Sequence, residues 1–492
     1  MLLFLRDCRL IEIIPTANLR KKNHFPLIQG TVEREKGNLT ILFESILKIL
    51  VTWIIMFLIF SVDVFSQQPE NVTDTAAIQD TSKVMVDTMA FSMPDTGVVK
   101  VKKFMTGADQ VKAYATLLKA KRVAIVMNQT SMVGSVRVID TLLKLKVNIT
   151  TIFTPEHGIT GKVGAGESIG GSKDEQTNIP VVSLYGDHLK PGKKEMKDID
   201  AVIFDIQDVG ARFYTYISTL HNVMEACAEN DKFLIVLDRP NPNGFYVDGP
   251  MLESKQKSFV GMDPLPIMYG MTIGELAQMM NMEGWIKGGP CRLRVIKMKN
   301  YDHNKLYNLP VPPSPNLPTM HAIYLYPSLC LFEGTKVSVG RGTDRPFQQV
   351  GHPALKDGDV TFTPQSTEAA PNPMYKDTLC TGWDLAHHVD DSTNLPKQLN
   401  LQWLIKMYES YPDKTKFFNP FFDKLSGTSK LREQIQKGMT EEQIRETWKQ
   451  DIEEFMIKRK RYLLYDDFGD PKQKIKAKPK PAGKSTPGKK HI

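Results

Sequence analysis

Short apolar runs that alternate with helical segments through the middle of this chain limit its possible folds more than any other feature. Five runs rich in Val, Ile and Phe predict strands at residues 122–127, 149–153, 181–185, 201–206 and 233–237. Runs that are apolar at successive positions, rather than at every second one, are typical of parallel strands buried on both faces. Residues 136–145 and 217–228 carry apolar side chains at helical spacing. The pattern therefore predicts an α/β fold with a Rossmann-like parallel sheet.

The length of the chain, 492 residues, predicts more than one folded domain, because single hydrophobic cores stop growing at about 250–300 residues. We expect a Rossmann-like domain at residues 104–260 and a smaller α+β domain at residues 261–468. Three elements are predicted for the second domain: a helix with a capping box formed by Thr272 and Glu275, a strand at 292–298 and a long amphipathic helix at 441–464.

The formal net charge of +8 is concentrated at the end of the chain. Residues 471–492 carry eight lysines and no acidic residue, so the body of the protein is close to neutral. Nucleic-acid binding is therefore not expected, because it requires a basic face on a folded domain. We interpret residues 469–492 as a disordered Lys/Pro-rich tail. Residues 67–103, rich in Thr, Asp, Ser, Val and Gln, are interpreted as a linker.

An apolar stretch of fourteen residues, 49–62, follows Lys48 and precedes Asp63 and Ser66. It is short for a bilayer span, which needs about 20 residues, but it suits the core of a signal peptide. We therefore interpret residues 1–66 as a leader that is either a signal peptide or a single membrane anchor. Both interpretations predict an exported protein, either periplasmic or anchored to the membrane and facing the periplasm.

Four of the predicted strands end in polar sequences, at residues 128–131, 154–158, 205–212 and 238–244. In open α/β sheets ligands bind just beyond the carboxyl ends of the strands, so these four exits are expected to form one polar edge, here called the crest. Its side chains are suited to hydrogen-bond a sugar or an anion. The candidate residues for substrate binding are Asn128, Gln129, Asp205, Gln207, Arg212, Tyr214, Tyr216, Asp238, Arg239 and Asn241.

The exit at residues 154–158 places a carboxylic acid, Glu156, next to an imidazole, His157. At a strand exit such a pair supplies a general acid and a polar partner that orients the substrate or shifts the pKa of the acid. The alternative is a helix-start turn, in which Glu156 only complements the dipole of the next helix. Neighbouring strand residues point in opposite directions, but Pro155 and Gly158 predict a bend that brings both side chains to one pocket.

Asp208 is the candidate for a second catalytic group, acting on water or on the amide of a substrate. Arg212 is placed to bind an anion in a bidentate manner, and it is equally expected to pair with Asp208. Two further sets suit either structural or ligand contacts: Tyr214 with Tyr216, and Asp238 with Arg239.

Beyond the predicted sheet, residues 314–351 are rich in Pro, Gly and polar residues and include Arg341, Asp344 and Arg345. Such segments are usually surface connections. Because this one concentrates arginine and acid between turn residues, an equally good interpretation places it across a cleft from the crest.

No nicotinamide cofactor is expected, because the first strand is followed by Asn128-Gln129-Thr130-Ser131 instead of Gly-x-Gly-x-x-Gly. The nearest glycine cluster, residues 164–170, has the wrong spacing and follows the second strand. The chain also lacks His-Glu-x-x-His, which counts against a zincin.

Three motifs together resemble those of the exo-β-N-acetylmuramidase family of peptidoglycan-recycling glycosidases. They are Thr-Pro-Glu-His-Gly at 154–158, Phe-Asp-Ile-Gln-Asp-Val-Gly-Ala-Arg-Phe-Tyr-Thr-Tyr at 204–216, and Asp-Arg-Pro-Asn-Pro at 238–242. The resemblance runs from about residue 123 to residue 465. It implies a Rossmann-like domain joined to a smaller one, with the active site in the cleft between them. It also implies removal of terminal N-acetylmuramic acid from the non-reducing end of peptidoglycan fragments, without a metal or nucleotide cofactor.

Through this resemblance Glu156 and His157 correspond to the proposed catalytic residues of the family, with Glu156 as the acid that protonates the leaving oxygen. The lactyl carboxylate of N-acetylmuramic acid requires a cation, for which the candidates are Arg212, Arg341 and Arg345. On the opposite face, either Asp208 activates water or the 2-acetamido group attacks while Asp208 orients it, and the two routes give opposite stereochemistry. The alternative function is a non-catalytic protein that binds cell-wall glycans.

Overall fold

The computed structural model describes residues 103–161, 172–390 and 394–469. All of them belong to one compact unit. The predicted leader, the linker except for Lys103, and the tail except for Gly469 lie outside the described residues. The glycine cluster at 164–170 lies outside them too.

The first part of the chain forms a sheet of seven strands with the Rossmann order. Its strands are β1 Arg122–Met127, β4 Asn148–Thr154, β5 Ser172–Lys173, β6 Pro180–Ser183, β7 Ala201–Asp205, β8 Phe233–Leu237 and β9 Arg292–Ile296. Two short strands, β2 Met132–Val133 and β3 Val136–Arg137, form a separate hairpin. The order is β5-β6-β4-β1-β7-β8-β9, and neighbours are parallel except β5 and β6. Strands β4 and β6 lie on one side of β1, and strands β7, β8 and β9 lie on its other side. The strand order therefore switches direction between β1 and β7, which places the ligand crevice beyond the carboxyl ends of these two strands.

Both faces of the sheet are covered, because successive residues of its central strands are buried on opposite sides. Ala124 and Val126 of β1 pack into one apolar cluster, whereas Val123, Ile125 and Met127 pack into another. The helices of this part are α1 Val111–Ala115, α2 Val138–Lys144, α3 Lys193–Met196, α4 Tyr216–Glu229 and α5 Ile273–Met282. The five predicted strands, the two predicted helices and the Rossmann-like fold are confirmed.

The sequence predicts the end of the Rossmann-like domain at residue 260, but the sheet extends past that point. β9 belongs to the predicted strand at 292–298 and pairs in parallel with β8 at the edge of the main sheet. The helix before it, α5, packs against β8 and β9. Its predicted capping box is confirmed: the Thr272 hydroxyl accepts from the amide of Glu275, and the Glu275 carboxylate accepts from the amide of Thr272.

The second part of the chain contains a small antiparallel sheet with helices packed around it. The sheet has the order β10-β12-β11 and consists of β10 Gln349–His352, β11 Val360–Phe362 and β12 Cys380–Asp384. The helices are α6 Met320–Leu329, α7 Gln402–Ser410, α8 Phe421–Ser426, α9 Lys430–Gln436, α10 Glu441–Glu446 and α11 Lys449–Arg459. This is the smaller α+β domain that the sequence predicts. Over the three described ranges, no helix is long and apolar enough to cross a membrane.

The predicted long helix at 441–464 is wrong, because α10 and α11 are separate helices with Trp448 between them. The amides of Thr447 and Trp448 bond to carbonyls only three residues earlier, which ends α10 in a tight turn. The turn directs the indole N–H of buried Trp448 to Asp248 Oδ1, at 3.1 Å. Apolar periodicity does not reveal this break, since it continues through both helices.

Candidate active site

The turn after β4 has the bend that Pro155 and Gly158 predict. The Gly158 amide donates to the Pro155 carbonyl at 3.1 Å, and both His157 (φ 71°) and Gly158 (φ 68°) have left-handed backbone conformations. Such a conformation costs a histidine about 1–3 kcal/mol. The turn must therefore be held in place by the contacts of its side chains.

Glu156 lies at the surface of the crest with one oxygen fixed. Its side chain is partly exposed, and its Oε2 accepts from the Thr215 hydroxyl at 2.8 Å. Thr215 directly precedes α4, so Glu156 sits at the positive end of a helix that starts some 60 residues further along the chain. The described residues after its own turn, 159–161, form no helix. Residues 162–171, which follow, lie outside the described residues, so the helix-start alternative stays a prediction.

His157 is buried beside the acid and contacts a segment of chain that comes from beyond the sheet. It is only 6% exposed, and its Nε2 lies 3.2 Å from the Ser314 hydroxyl. That hydroxyl also accepts from the amide of Asn316 at 3.2 Å. Ser314 therefore positions the imidazole at the crest. The sequence places Ser314 only at the start of the segment 314–351, without assigning it a role.

A proline-rich strap, residues 312–316, crosses the crest above these groups. The carbonyl of Pro313 accepts from the hydroxyls of Tyr214 and Tyr216, each at 3.0 Å, and the Gln129 amide donates to the Pro312 carbonyl at 3.0 Å. The two tyrosine side chains are buried. Tyr214, Tyr216 and Gln129 thus anchor the strap, and these contacts of the two tyrosines are structural.

Asp208 is the buried carboxylate of the crest. It is 3% exposed, and its Oδ2 accepts from the Gly210 amide at 2.8 Å and from the Tyr269 hydroxyl. Its Oδ1 is buried and has no hydrogen-bond partner among the described residues. Burial raises the pKa of Asp208 to about 6, although the Tyr269 and Gly210 donors favour the charged form. A buried acid with one unsatisfied oxygen and a raised pKa is typical of a functional group.

Asn128 and Gln207 join neighbouring strand exits beneath Asp208. Asn128 Oδ1 accepts from the amide and the hydroxyl of Thr130 at 3.0 and 2.6 Å, and the Thr130 hydroxyl accepts from the Gln207 amide at 3.0 Å. The Gln207 side chain donates to the carbonyls of Asp208 and Pro240 at 2.8 and 2.6 Å. The exits of β1, β7 and β8 are therefore joined by hydrogen bonds into one polar surface, as expected for the crest.

The predicted anion-binding role of Arg212 is wrong, and so is its pairing with Asp208. Arg212 is fully buried, and its guanidinium donates to the carbonyls of Pro250, Leu265 and Leu425 at 2.8, 2.7 and 3.0 Å. Burial lowers its pKa to about 9. Arg212 is a structural residue that links the crest to Pro250 and Leu265 and to Leu425 of α8.

Four other predicted binding residues hold the crest together. Arg239 pairs with Asp205 through two contacts of 2.6 and 2.9 Å. Asp238 accepts from the Thr272 hydroxyl at 2.9 Å, and burial raises its pKa to about 7. The side-chain amide of Asn241 donates to the Met271 carbonyl at 2.8 Å. All four are buried and use their polar groups on these partners, so they are assigned to the scaffold and not to the predicted ligand contacts.

The segment 314–351 contacts the crest at its start, through Ser314 and His157. Further along it, Arg341 Nε donates to Glu333 at 2.7 Å and the guanidinium lies 5.2 Å from the Phe347 ring. A row of aromatic rings leads from there to the crest: Phe347 to Tyr326 at 5.0 Å, and Tyr326 to Tyr214 at 5.7 Å. Arg341 is therefore connected to the crest through a row of packed aromatic rings.

The other two predicted residues of this segment are less suited to bind an anion. Arg345 uses both terminal nitrogens on Asp384, each at 2.7 Å. Asp344 is exposed and adds negative charge beside them. Among the described residues, no group of three or more His, Cys, Asp or Glu side chains is arranged to hold a metal ion.

Two family models match this chain, and together they cover most of its folded part. The model described as exo-beta-N-acetylmuramidase NamZ, N-terminal, matches residues 123–321. The model described as exo-beta-N-acetylmuramidase NamZ, C-terminal, matches residues 324–465. The two models meet about 60 residues beyond the predicted domain boundary at 260, so the N-terminal model includes β9.

A named relative and two solved structures agree with these matches. The chain is 38% identical over 403 residues to peptidoglycan beta-N-acetylmuramidase NamZ of Bacillus subtilis (strain 168), which covers 77% of this chain and 96% of the relative. It is similar to the crystal structure of a DUF1343 family protein of Bacteroides fragilis, with a TM-score of 0.69 and 48% identity over 74% of this chain and 100% of that one. A second such protein of that organism gives a TM-score of 0.65 and 30% identity, over 74% and 99%. This chain therefore belongs to the exo-β-N-acetylmuramidase NamZ family of glycosidases.

Proposed function

We propose that this protein is an exo-acting glycoside hydrolase that releases terminal N-acetylmuramic acid from the non-reducing end of peptidoglycan fragments. The observation that carries the proposal is the partly exposed Glu156, fixed by Thr215 on the same crest as the buried, half-satisfied Asp208. Its family membership and the name of its Bacillus relative support the same substrate. Family membership gives no support to the alternative, a non-catalytic protein that binds cell-wall glycans.

Glu156 acts as the general acid in this proposal. Its carboxyl proton is transferred to the glycosidic oxygen as the bond to the terminal sugar breaks, which makes the leaving group a neutral alcohol. Thr215 fixes Oε2, so the carboxyl group presents a constant orientation to the cleft. His157, held by Ser314, contacts the sugar beside the acid and keeps that orientation in the bound state.

Asp208 is the second group in this proposal, and it acts through Oδ1, which has no hydrogen-bond partner among the described residues. Two routes use that oxygen: it accepts a proton from an attacking water, or it accepts the N–H of the 2-acetamido group while the acetamido oxygen attacks the anomeric carbon. Direct attack by water inverts the anomeric centre, whereas attack through the acetamido group retains it. The anomer first released from a β-muramide, followed by NMR, distinguishes the two routes.

Arg341 is the residue we assign to the lactyl carboxylate. A row of packed aromatic rings connects it to the crest, and its guanidinium contacts Glu333 through Nε and one terminal nitrogen. Arginine suits this task because its planar fork binds a carboxylate with two parallel hydrogen bonds. Arg212 is excluded by burial and Arg345 is occupied by Asp384.

The test is hydrolysis of a chromogenic β-N-acetylmuramide by Glu156→Gln. The variant keeps the shape and the Thr215 contact but has no proton to give, so kcat should fall at least about a hundredfold. Glu446→Gln, an exposed residue of α10, is the matched control and should turn over normally. Normal turnover by Glu156→Gln would remove Glu156 from the mechanism. Binding of muramyl glycans without turnover by the wild-type protein would favour the binding alternative.

We also propose that the protein is exported and works in the periplasm. The support is the apolar stretch 49–62, which lies outside the described residues. Cell fractionation should find the full-length chain outside the cytoplasm, and deletion of residues 1–66 should leave an active enzyme in the cytosol. Recovery in the membrane fraction would indicate an anchor, and a cytosolic full-length protein would reject export.

A further inference from the structure

A cavity of about 240 Å³ lies in the smaller domain, apart from the crest and the strap. It is enclosed by the end of β12, the 3-10 helix Ala386–His388 and α7. The space would hold about eight water molecules at ~30 Å³ each. Close-packed interiors leave few voids larger than a single water. A recess of this size, open to solvent, is therefore a candidate ligand site.

The inner surface of the cavity is apolar and includes two tryptophan rings. Trp383 lies opposite Val350 in the pairing of β12 with β10. Trp403 and Met407 are one turn apart on α7 and both line the same space. Val350 and Met407 are buried and form the floor, whereas the two tryptophans are partly exposed and form the walls. Both tryptophans line the recess and are partly exposed, and the Lys406 ammonium lies over the Trp383 ring.

The opening of the cavity carries hydrogen-bonding groups. Asp359, His387 and Gln402 line it and are exposed, which places a carboxylate, an imidazole and an amide around the tryptophan walls. Flat aromatic walls combined with polar groups at the edge are suited to a pyranose ring. Such a ring has apolar C–H faces and carries its hydroxyls around the circumference.

The charges around the cavity favour an uncharged ligand. Asp384 is neutralised by two contacts of 2.7 Å with Arg345. The ammonium group of Lys406 lies 4.2 Å from the centre of the Trp383 ring, where the ring already stabilises it. Asp359, whose Oδ1 accepts from the Asp384 amide at 2.8 Å, offsets the charge of Lys406. An added cation or anion would meet no unbalanced opposite charge.

We propose that this cavity is a second carbohydrate-binding site, which holds one neutral pyranose unit of a glycan chain between Trp383 and Trp403. It lies in the smaller domain and uses none of the residues assigned to hydrolysis. Its role is to hold the glycan while the crest processes the end of a chain.

The test is binding of triacetylchitotriose to the intact Glu156→Gln protein, measured by isothermal titration calorimetry. This β-1,4-linked N-acetylglucosamine trimer is neutral and contains no muramic acid, so the lactyl-binding site does not select it. Trp383→Ala and Trp403→Ala, in the same background, should each weaken binding about tenfold or more. Trp285→Ala changes a partly exposed tryptophan elsewhere and should bind like the parent.

Two further measurements keep the proposal testable if a tryptophan variant folds poorly. Gln402→Ala shortens an exposed side chain at the opening and should weaken binding about threefold to tenfold. Trp403→Ala made in the wild-type background should hydrolyse a small chromogenic muramide with unchanged kcat and KM, because that substrate does not reach the second cavity.

The proposal is overturned if the Glu156→Gln protein does not bind the trimer, or if the folded tryptophan and Gln402→Ala variants bind it as tightly as the parent. Such a failure leaves the hydrolase proposal intact, because that rests on muramide turnover. Conversely, a protein that binds the trimer through Trp403 but does not hydrolyse muramides would refute only the hydrolase.

Discussion

Removing the hydroxyl of Tyr269 tests whether Asp208 acts as a carboxylate. Tyr269 donates to Asp208 Oδ2 inside the crest, and the Gly210 amide donates to the same oxygen at 2.8 Å. Burial raises the pKa of Asp208 to about 6, and these donors keep it from rising further. In Tyr269→Phe one donor to the charged form is lost, so the pKa of Asp208 must increase.

The size of the shift follows from the strength of that hydrogen bond. A bond to a charged group contributes about 1.5–3 kcal/mol, and one pKa unit corresponds to about 1.4 kcal/mol. The pKa of Asp208 should therefore rise by roughly one to two units above its present value. Asp208 must be ionised to accept a proton or a hydrogen bond from the substrate. The acidic limb of the kcat/KM profile should move to higher pH by the same amount, while activity at alkaline pH stays near that of the wild type.

The assay is the pH dependence of kcat/KM on a chromogenic muramide, from acidic to alkaline pH. Tyr246→Phe removes another buried tyrosine hydroxyl, away from Asp208, and controls for the general effect of such a change. If the folded Tyr269→Phe variant keeps its acidic limb in place, or shifts it to lower pH, Asp208 does not act as the ionised group. The carboxylate role would then be abandoned.

Three further substitutions separate catalytic, binding and structural residues. Thr215→Val removes the 2.8 Å bond to Glu156 and should lower kcat about tenfold or more with little change in KM, whereas Thr215→Ser should restore it. Arg341→Met should reduce the preference for a muramide over the matching N-acetylglucosaminide about tenfold or more, and an unchanged preference would exclude Arg341 from lactyl recognition. Arg212→Met removes three buried hydrogen bonds to carbonyls and should lower the free energy of unfolding by about 3 kcal/mol or more, as measured by urea denaturation. Loss of turnover in a fully stable Arg212→Met protein would contradict its structural assignment.

The main sheet could be predicted because its central strands are buried on both faces. β1 has no polar side chain between Val123 and Met127, and a short run of this kind is typical of a strand buried on both faces. β9 is different: it is the edge strand, its burial alternates, and Leu293 and Val295 are only partly covered. That alternation is typical of an antiparallel strand with one wet face, so the sequence assigned β9 to the second domain.

Residue type alone did not separate catalytic from structural candidates at the crest. Glu156 can be predicted from the sequence because Pro155 and Gly158, which indicate the bend, lie in the same short motif. Arg212 and Arg341 look alike in sequence, since each follows a turn and has acidic residues nearby. What distinguishes them is the position of their partners, because the carbonyls that bind Arg212 lie 38 to 213 residues away. A local sequence pattern does not identify partners that are so distant along the chain.

The strap, residues 312–316, has a physical signature that the sequence does carry. Pro312, Pro313 and Pro315 have no amide N–H, so this stretch offers carbonyl acceptors with few donors of its own. Buried carbonyls need donors from elsewhere, and the side chains that supply them are Tyr214, Tyr216 and Gln129 on the crest. A proline cluster together with hydroxyl and amide donors at strand exits therefore predicts a covered site. By the same argument, the tyrosines of the 204–216 motif hold the strap over the crest, where Ser314 meets His157.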